Sequence, residues 1–225
     1  MCNYKMKKKI FTIEFLGMPG SGKSYIQKVI LKNLKLKNYY NYYNDYKILN
    51  RFSKILFFLQ FLLSYPIFSL KTLFLIKLSK QQANEKNKHM YYFVNETSLH
   101  SYFNSLNKNI FLINSEGFLY RASFYFDQNK FNINIKNYLR NIPKVDMVIL
   151  IKNKKKDNIN RANSRANEYK YNSTDIKHYE KKNKIIDRIA EIYKSNNKCK
   201  FLKLNNYQKN LGKNEINRII KLIKK

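Results

Sequence analysis

The sequence predicts an α/β protein in which a parallel β-sheet is covered by helices on both faces. Short apolar runs at 10–16, 109–114 and 146–151 alternate with segments whose apolar residues recur at helical spacing. This alternation is typical of folds that bury a parallel sheet between two helical layers. In addition, the first run is followed at once by a glycine-rich loop and a helical pattern, "FLGMPGSGKSY" at 15–25.

The loop after the first strand matches the phosphate-binding pattern G-x-x-x-x-G-K-[ST]. It holds three of the chain's five glycines, which permit the backbone angles that turn N–H groups toward phosphate oxygens. A helix predicted at about 23–35 adds partial positive charge at its start. Lys23 is expected to reach the β- and γ-phosphates of a nucleotide, and Ser24 to bind Mg²⁺. The predicted nucleotide-binding residues are Gly17, Met18, Pro19, Gly20, Ser21, Gly22, Lys23, Ser24 and Tyr25.

The segment 54–78, "KILFFLQFLLSYPIFSLKTLFLIKL", is the most apolar part of the chain. Its longest uncharged stretch, 55–70, has 16 residues, fewer than the ~20 that a helix needs to cross a membrane. Pro66 disfavours helix at Tyr65, so we expect two helices in a hairpin subdomain at about 51–105 that packs over the core. Peripheral membrane contact and a true span are the alternatives. The lysines that would suit an anionic surface are Lys54, Lys71, Lys77 and Lys80.

The later part of the chain continues the alternation of strands and helices. Strands are predicted at 109–114 and 146–151, with a weaker one at 200–205. No internal repeat or Pro/Gly-rich linker divides the sequence, so 1–225 is predicted to be a single domain. Two later helices are marked by apolar residues at helical spacing, namely Ile176, Tyr179, Ile186, Ile189 and Tyr193 in one, and Ile216, Ile219, Ile220 and Ile223 in the other.

The charge of the chain is strongly basic, with 45 Lys and Arg against 14 Asp and Glu and a formal net charge of +31. Only seven of the basic residues are Arg, Asn and Ile are abundant, and Trp is absent. We interpret this as AT-biased coding, in which Lys replaces Arg wherever either would serve. Anionic ligands are nevertheless attracted at low salt. Nucleic acid as a partner would rest on the charge alone and is not expected.

The N-terminus, the cysteines and the histidines suggest an ordinary cytoplasmic protein. The basic start and the first apolar run imitate a signal peptide, but a glutamate interrupts the run and the glycine loop follows directly. Cys2 and Cys199 offer neither a disulfide framework nor metal-ligand spacing. His89, His100 and His178 have no partners at catalytic or metal spacing, so surface or hydrogen-bonded side chains are expected.

Further motifs distinguish between the classes of phosphate-loop proteins. A GTPase should carry D-x-x-G, and no Asp in this chain has a Gly three residues later. Motor ATPases carry an Asp after an apolar strand, whereas the strand at 109–114 is followed by Ser115-Glu116-Gly117. Because ligands bind at the carboxyl ends of strands in such sheets, Glu116 is expected to face Mg²⁺ or an acceptor hydroxyl.

Three stretches together, "GMPGSGKS", "FLINSEGFLYR" and "VDMVILIKNKKKDNINRANSR", resemble the P-loop kinase family of thymidylate kinases and nucleoside or nucleoside monophosphate kinases. The pattern is most similar to thymidylate kinase-like ATP-binding proteins that are often associated with surface-polysaccharide gene clusters. The resemblance spans most of the chain and implies the P-loop NTPase fold with a helical hairpin insertion. The chain departs from the family at Ser115, where an Asp is common.

The resemblance also implies roles for individual residues. Glu116 is the candidate base or Mg²⁺-water ligand, and Arg121 is expected to contact a phosphate. Arg161 and Arg165 are four residues apart, hence on one helix face, and resemble a lid that neutralises the transferring phosphoryl group. Arg51, just before the hairpin, is a candidate contact for the acceptor. The alternatives are a capped turn for Glu116, a surface helix for Arg121 and a solvated basic face for the arginine pair.

The expected function is transfer of the γ-phosphoryl group of ATP, with Mg²⁺, to a small anionic acceptor, first of all a nucleoside monophosphate. A nucleoside or a sugar-type hydroxyl is the second choice of acceptor. The alternative from another class is a nucleotide-dependent docking module with little turnover, which acts at a membrane or glycan-assembly complex through 54–78. A cytoplasmic location, with peripheral contact at the inner membrane surface as an option, and a homodimer are compatible with both.

Overall fold

The central feature of the fold is a five-stranded sheet, seen in a computed structural model that describes residues 10–34, 39–42, 45, 47–106, 109–127, 134–163, 173–196, 199–205 and 213–224. The strands lie in the order β2-β3-β1-β4-β5, and all four neighbouring pairs are parallel. The first strand is therefore at the centre of the sheet. The strands are β1 (Ile10–Leu16), β2 (Tyr39–Tyr40), β3 (Ile110–Asn114), β4 (Met147–Lys152) and β5 (Lys200–Asn205).

Helices cover both faces of this sheet, and each face has its own apolar core. One core joins alternate strand residues such as Ile13 and Ile149 to Ile26 and Ile219 from two helices. The opposite core joins the other strand residues to the remaining helices. The helices are α1 (Lys23–Leu34), α2 (Arg51–Ser64), α3 (Pro66–Leu78), α4 (Ala83–Ser105), α5 (Phe118–Asp127), α6 (Ile135–Leu139), α7 (Lys155–Asn163), α8 (Ser173–Asn196) and α9 (Lys213–Lys224).

The predicted α/β fold with a parallel sheet between two helical layers is confirmed. The strands expected at 109–114 and 146–151 are each displaced by no more than one residue at either end, and the first helix begins at the predicted Lys23. The sequence does not predict β2, because a strand of two residues at the edge of a sheet is too short for an alternating pattern. It also gives no separate signal for α4 or α6.

The apolar segment after β2 forms two helices, as expected. The Asn50 side chain accepts the Ser53 N–H at 2.8 Å and caps α2. The helix ends at Ser64, and Tyr65 separates it from α3. Pro66 occupies the first turn of α3, where its missing N–H costs nothing. The two helices differ in direction by 111°. Within the described residues no single helix has the length and apolar composition of a membrane span, although this bent pair meets both criteria when taken together.

The inner sides of α2 and α3 pack against the start of α5. The rings of Phe61 and Phe68 have centroids 5.9 Å and 5.6 Å from that of Phe118, and both rings are fully buried. Phe93 of α4 lies 6.1 Å from Phe68. Aromatic pairs at these distances add to the stability given by burial alone. The inner sides of α2 and α3 thus pack beside the turn that leads from β3 into α5.

Candidate functional site

The predicted phosphate loop follows β1 at the centre of the sheet. Gly17, Gly20 and Gly22 have φ angles of 154°, 80° and 93°, which residues with a side chain rarely adopt. A Cβ atom at Gly17 would lie 2.9 Å from the carbonyl oxygen of Ile151 in β4, so the loop packs directly on the neighbouring strand. Because α1 begins at Lys23, the loop ends at the positive end of a helix dipole.

The side chain of Lys23 is folded over this loop. Its Nζ donates to the carbonyl oxygens of Gly17 at 2.8 Å and Met18 at 3.2 Å. The same ammonium lies 4.5 Å from the ring centroid of Tyr120 on α5, a distance at which a cation is attracted to the face of an aromatic ring. The charge of Lys23 is therefore held against the loop by two carbonyl groups and one aromatic ring.

A second lysine, which the sequence analysis did not single out, reaches the same aromatic ring. Lys182 of α8 is buried, and its Nζ lies 3.1 Å from the ring centroid of Phe124 and 5.8 Å from that of Tyr120. Tyr120 and Phe124 are four residues apart on α5 and form an edge-to-face pair. Two positive charges on one ring repel each other, and an anionic ligand at the loop would offset that repulsion.

Glu116 follows β3 and is held by a buried arginine. Arg121 donates from Nη2 to Glu116 at 3.5 Å and from Nε to Glu96 at 2.6 Å. Its guanidinium lies 4.0 Å from the ring centroid of Tyr92. Arg121 and Glu96 are buried, whereas the Glu116 side chain is 40% exposed. The alternative that places Arg121 on a surface helix is therefore wrong, and Glu96 is a member of the site that the sequence analysis missed.

The carboxylate that caps the turn after Glu116 comes from β1. Glu14 is completely buried, and its two oxygens accept the N–H groups of Phe118 at 3.0 Å and Leu119 at 2.9 Å. A Cβ atom at Gly117 would lie 2.4 Å from the Glu14 carboxyl group, so only glycine permits this approach. Burial raises the pKa of Glu14 to about 8, while the hydrogen bond from Leu119 acts in the opposite direction. Glu116 itself is free of this capping role.

A cavity of about 740 Å³ opens between α1, the segment after β2 and the end of β3. Its carboxylates are Asp45 and Glu116, and Asp45 is fixed by the Asn41 N–H at 2.6 Å. The side-chain amides of Gln27 and Asn41 each donate to the carbonyl oxygen of Ile113 at 2.9 Å, which joins α1 and the β2 segment to β3. The residues around the cavity are Ser24, Gln27, Lys28, Leu31, Tyr39, Asn41, Asp45, Ser115 and Glu116.

The cavity offers oxygen donors of the kind that Mg²⁺ prefers. The Ser24 hydroxyl and the carboxylates of Glu116 and Asp45 line the same space. Among the described residues, no three His, Cys, Asp or Glu side chains lie close enough together to hold a metal ion by themselves. Mg²⁺ is commonly held by one or two protein oxygens together with substrate phosphates and water. The donor set therefore fits a magnesium ion that arrives with a nucleotide.

None of the predicted arginines that the structure describes lines the cavity, although Arg121 contacts Glu116 at its wall. Arg161 lies in the last turn of α7 and is half-buried, while Arg165 lies outside the described residues. Arg51 is exposed at the first position of α2. Neither of these two described arginines, nor Tyr25, lines the cavity. Their roles in binding a nucleotide or closing over it stay predictions.

Two of the histidines are buried and hydrogen-bonded. His89 Nε2 lies 3.1 Å from the amide nitrogen of Gln81, and His100 Nδ1 lies 2.8 Å from the hydroxyl of Tyr42. Desolvation by burial lowers the pKa of His89 to about 4, so its ring is neutral at physiological pH. The expectation of a hydrogen-bonded side chain is confirmed for His100, whereas His89 is bonded at Nε2 only and its buried Nδ1 has no hydrogen-bond partner among the described residues. The side chain of His178 is not among those that the structure describes.

No protein-family model and no curated protein sequence matches the chain. Among solved structures, the chain is similar to deoxyadenosine kinase from M. mycoides with bound dATP, at 19% sequence identity and a TM-score of 0.53, over 96% of this chain and 100% of that chain. It is also similar to the same kinase with the products dCMP and a flexible dCDP bound, at 18% identity and a TM-score of 0.52, over 95% and 98% of the two chains. At this identity the likeness concerns the fold, and it confirms the α/β fold with a phosphate loop after the first strand.

Proposed function

We propose that this chain is an ATP-dependent kinase that transfers the γ-phosphoryl group to a hydroxyl group of a nucleoside. The observation that carries the proposal is that the phosphate loop and the cavity meet at Ser24. This residue ends the loop pattern and also lines a cavity of about 740 Å³ that contains two carboxylates. A cavity of that size accepts a small molecule. A phosphoryl donor on one side of Ser24 and an acceptor on the other would thus be neighbours.

The nucleotide half of the proposed site is built from the loop and its two lysines. The glycine conformations and the start of α1 favour an anion beside the loop. Lys23 would exchange its contacts with the Gly17 and Met18 carbonyls for the β- and γ-phosphate oxygens. Lys182 would approach the same phosphates from α8, since both ammonium groups already share the ring of Tyr120.

Mg²⁺ would be held by Ser24 and, directly or through water, by Glu116. The ion would neutralise part of the negative charge that develops on the phosphate oxygens. Arg121 donates to the buried Glu96 and to Glu116. It thereby holds the Glu116 carboxylate in position at the cavity wall. Asp45, the other carboxylate that lines the cavity, would supply a further oxygen donor.

The charges around the cavity favour a neutral acceptor over a nucleoside monophosphate. Asp45 and Glu116 are both carboxylates, and the one described cation that lines the cavity is Lys28. The positive charge of Arg121 is already balanced by Glu96 and Glu116. A bound monophosphate would face more negative than positive charge, whereas a hydroxyl group could donate its proton to either carboxylate. The fold shared with deoxyadenosine kinase makes nucleosides the acceptors to test first.

The lid remains part of the proposal. Arg161 lies in the last turn of α7 and Arg165 follows it by four residues in the sequence. A pair of arginines at this spacing could close over the transferring phosphoryl group. Closure would exclude water from the donor and acceptor and so protect ATP from hydrolysis. The thymidylate kinase-like affiliation and the nucleoside monophosphate acceptor expected from the sequence stay predictions.

The experiment is to incubate the purified protein with γ-labelled ATP, Mg²⁺ and separate pools of nucleosides, nucleoside monophosphates and sugars. We expect label in the nucleoside pool, and none when Lys23→Ala replaces the natural protein. Transfer to the monophosphate pool alone would overturn the neutral acceptor and restore the first expectation. Binding of ATP without transfer to any pool would overturn the kinase and favour a nucleotide-dependent docking module.

A further inference from the structure

The outer side of α2 and α3 carries a row of large apolar side chains that the fold does not cover. On α2 they recur three or four residues apart and so share one face of the helix, and Leu63, at the bend, is 83% exposed. The row continues beyond the bend on the outer side of α3. This outer apolar row consists of Phe52, Ile55, Leu56, Leu59, Leu63, Ile67, Leu70 and Phe74, each at least half exposed.

The row is additional to the core, because the opposite side of the same helices is already packed. Phe61, Phe68, Leu75 and Ile76 are buried against the helices beneath. Both helices are therefore apolar on two sides, which in a protein of this size indicates a partner outside the fold. Single exposed apolar residues are common on protein surfaces, but a continuous row of eight marks an interaction surface.

The charged residues of the segment that carries the row are all basic. Between residues 46 and 84 the chain has six basic residues and no Asp or Glu. Arg51 is exposed and precedes Phe52, while Lys77 is exposed and follows Phe74 by one helical turn. Lys71 follows Ile67 by four residues and so lies beside the row. A basic border around an apolar face is the arrangement of helices that lie in the surface of an anionic membrane.

We propose that the outer apolar row docks on the surface of an anionic lipid membrane, with α2 and α3 lying along the interface. The charge decides between this partner and a second copy of the chain. A symmetric dimer through the row would place identical basic borders against each other, in a protein that already carries a net charge of +31. Anionic headgroups would instead neutralise the border while the apolar side chains enter the acyl region. The inference is independent of the proposed kinase activity.

The test is flotation of the full chain with vesicles of phosphatidylcholine mixed with phosphatidylglycerol, and with vesicles of phosphatidylcholine alone. We expect binding to the mixed vesicles and much weaker binding to the neutral ones. Part of this binding should persist in about 1 M NaCl, where the screening length is only about 3 Å, because the buried apolar surface does not depend on salt. Binding that disappears completely at high salt would overturn docking through the row.

Substitutions in the outer apolar row test whether it makes the contact with the vesicles. Leu59→Ser, Leu63→Ser and Leu70→Ser combined should lower vesicle binding by more than about tenfold, and circular dichroism should show an unchanged fold because all three side chains are exposed. Tyr91→Ser, an exposed ring outside the row, is the matched control and should bind as the natural protein does. Equal binding of the triple variant would overturn the proposal.

The same variants test whether a second copy of the chain, rather than a membrane, covers the outer apolar row. Light scattering of the natural protein in solution should show a monomer at low and high salt. A dimer that the triple variant converts to a monomer would assign the row to a second copy and overturn membrane docking.

Discussion

The Arg121 guanidinium on α5 donates its Nε–H to Glu96 on α4 at 2.6 Å, and both side chains are buried. The same guanidinium reaches Glu116 at 3.5 Å. One buried cation thus holds a carboxylate of the scaffold and a carboxylate of the cavity. The position of Glu116 is therefore set by a residue that does not itself line the cavity.

Arg121→Lys should disturb both carboxylates, because a point charge cannot reproduce the planar fork of a guanidinium. Breaking a buried ion pair costs about 3–5 kcal/mol when one partner is removed, so we expect a smaller but clear loss of stability in this milder change. Turnover should fall by about tenfold or more as Glu116 loses its orientation. Thermal unfolding and kcat measure the two effects. Arg188→Lys, an exposed arginine on α8, should change neither, and full turnover in Arg121→Lys would show that Glu116 needs no orientation.

Glu116→Gln keeps the size of the side chain and removes its charge. If Glu116 accepts the hydroxyl proton or positions Mg²⁺ through water, turnover should fall ~10²-fold while ATP affinity barely changes. Asp45→Asn, at the other carboxylate that lines the cavity, is the matched comparison, and the variant with the larger loss of kcat identifies the more important carboxylate. Glu85→Gln, on the exposed surface of α4, serves as the control. Equal turnover in Glu116→Gln and the natural protein would assign Glu116 a structural role.

Lys23→Ala removes the ammonium that contacts the loop carbonyls. ATP binding should weaken at least tenfold, about 1.4 kcal/mol, and phosphoryl transfer should disappear with the fold intact. Calorimetry measures the affinity, and Lys32→Ala, an exposed lysine later on α1, should bind ATP normally. An unchanged affinity of Lys23→Ala would contradict the assignment of the phosphate loop.

Lys182→Met retains an apolar stem of similar length and removes the buried charge beside Phe124. If the ammonium acts on bound phosphates, the KM for ATP should rise and kcat should fall by about tenfold. Thermal unfolding of the same variant separates an effect on the fold from an effect on the ligand. Lys181→Met, the exposed neighbour on α8, is the control. Reduced stability with normal kinetics would instead make Lys182 a packing residue.

The buried Glu14 should make the stability of the protein depend on pH. Its pKa is about 8 in the folded state against an ordinary value of 4.5, so between these values the folded protein binds more protons than the unfolded chain. The stabilisation that comes from this difference is complete below about pH 4.5 and is lost as the pH rises through about 8, on the order of a few kcal/mol. Chemical denaturation at about pH 6 and about pH 9 measures the difference. Glu14→Gln should flatten this dependence, and an unchanged slope would assign it to other groups.

The sequence predicts the phosphate loop well because all of its chemistry lies within eight consecutive residues, from Gly17 to Ser24. The contacts that complete the site depend instead on packing between distant segments. No sequence pattern around Glu96 predicts its contact with Arg121, and none around Lys182 predicts its contact with Tyr120. Glu14 did carry a signal, since a glutamate inside an otherwise apolar strand must either be paired or serve a function. Its partner, the start of α5, becomes visible only in the folded chain.

Gly17 lies against Ile151, more than a hundred residues later in the chain, so during synthesis this contact forms only after β4 has been made. A ribosome that adds roughly 5–20 residues per second needs on the order of ten seconds to proceed from β1 to the end of β4. Until then β1 lacks β4, one of its two neighbours in the sheet, although its glycine loop has long been translated. The glycine loop of the nascent chain therefore completes its packing on the sheet only late in synthesis.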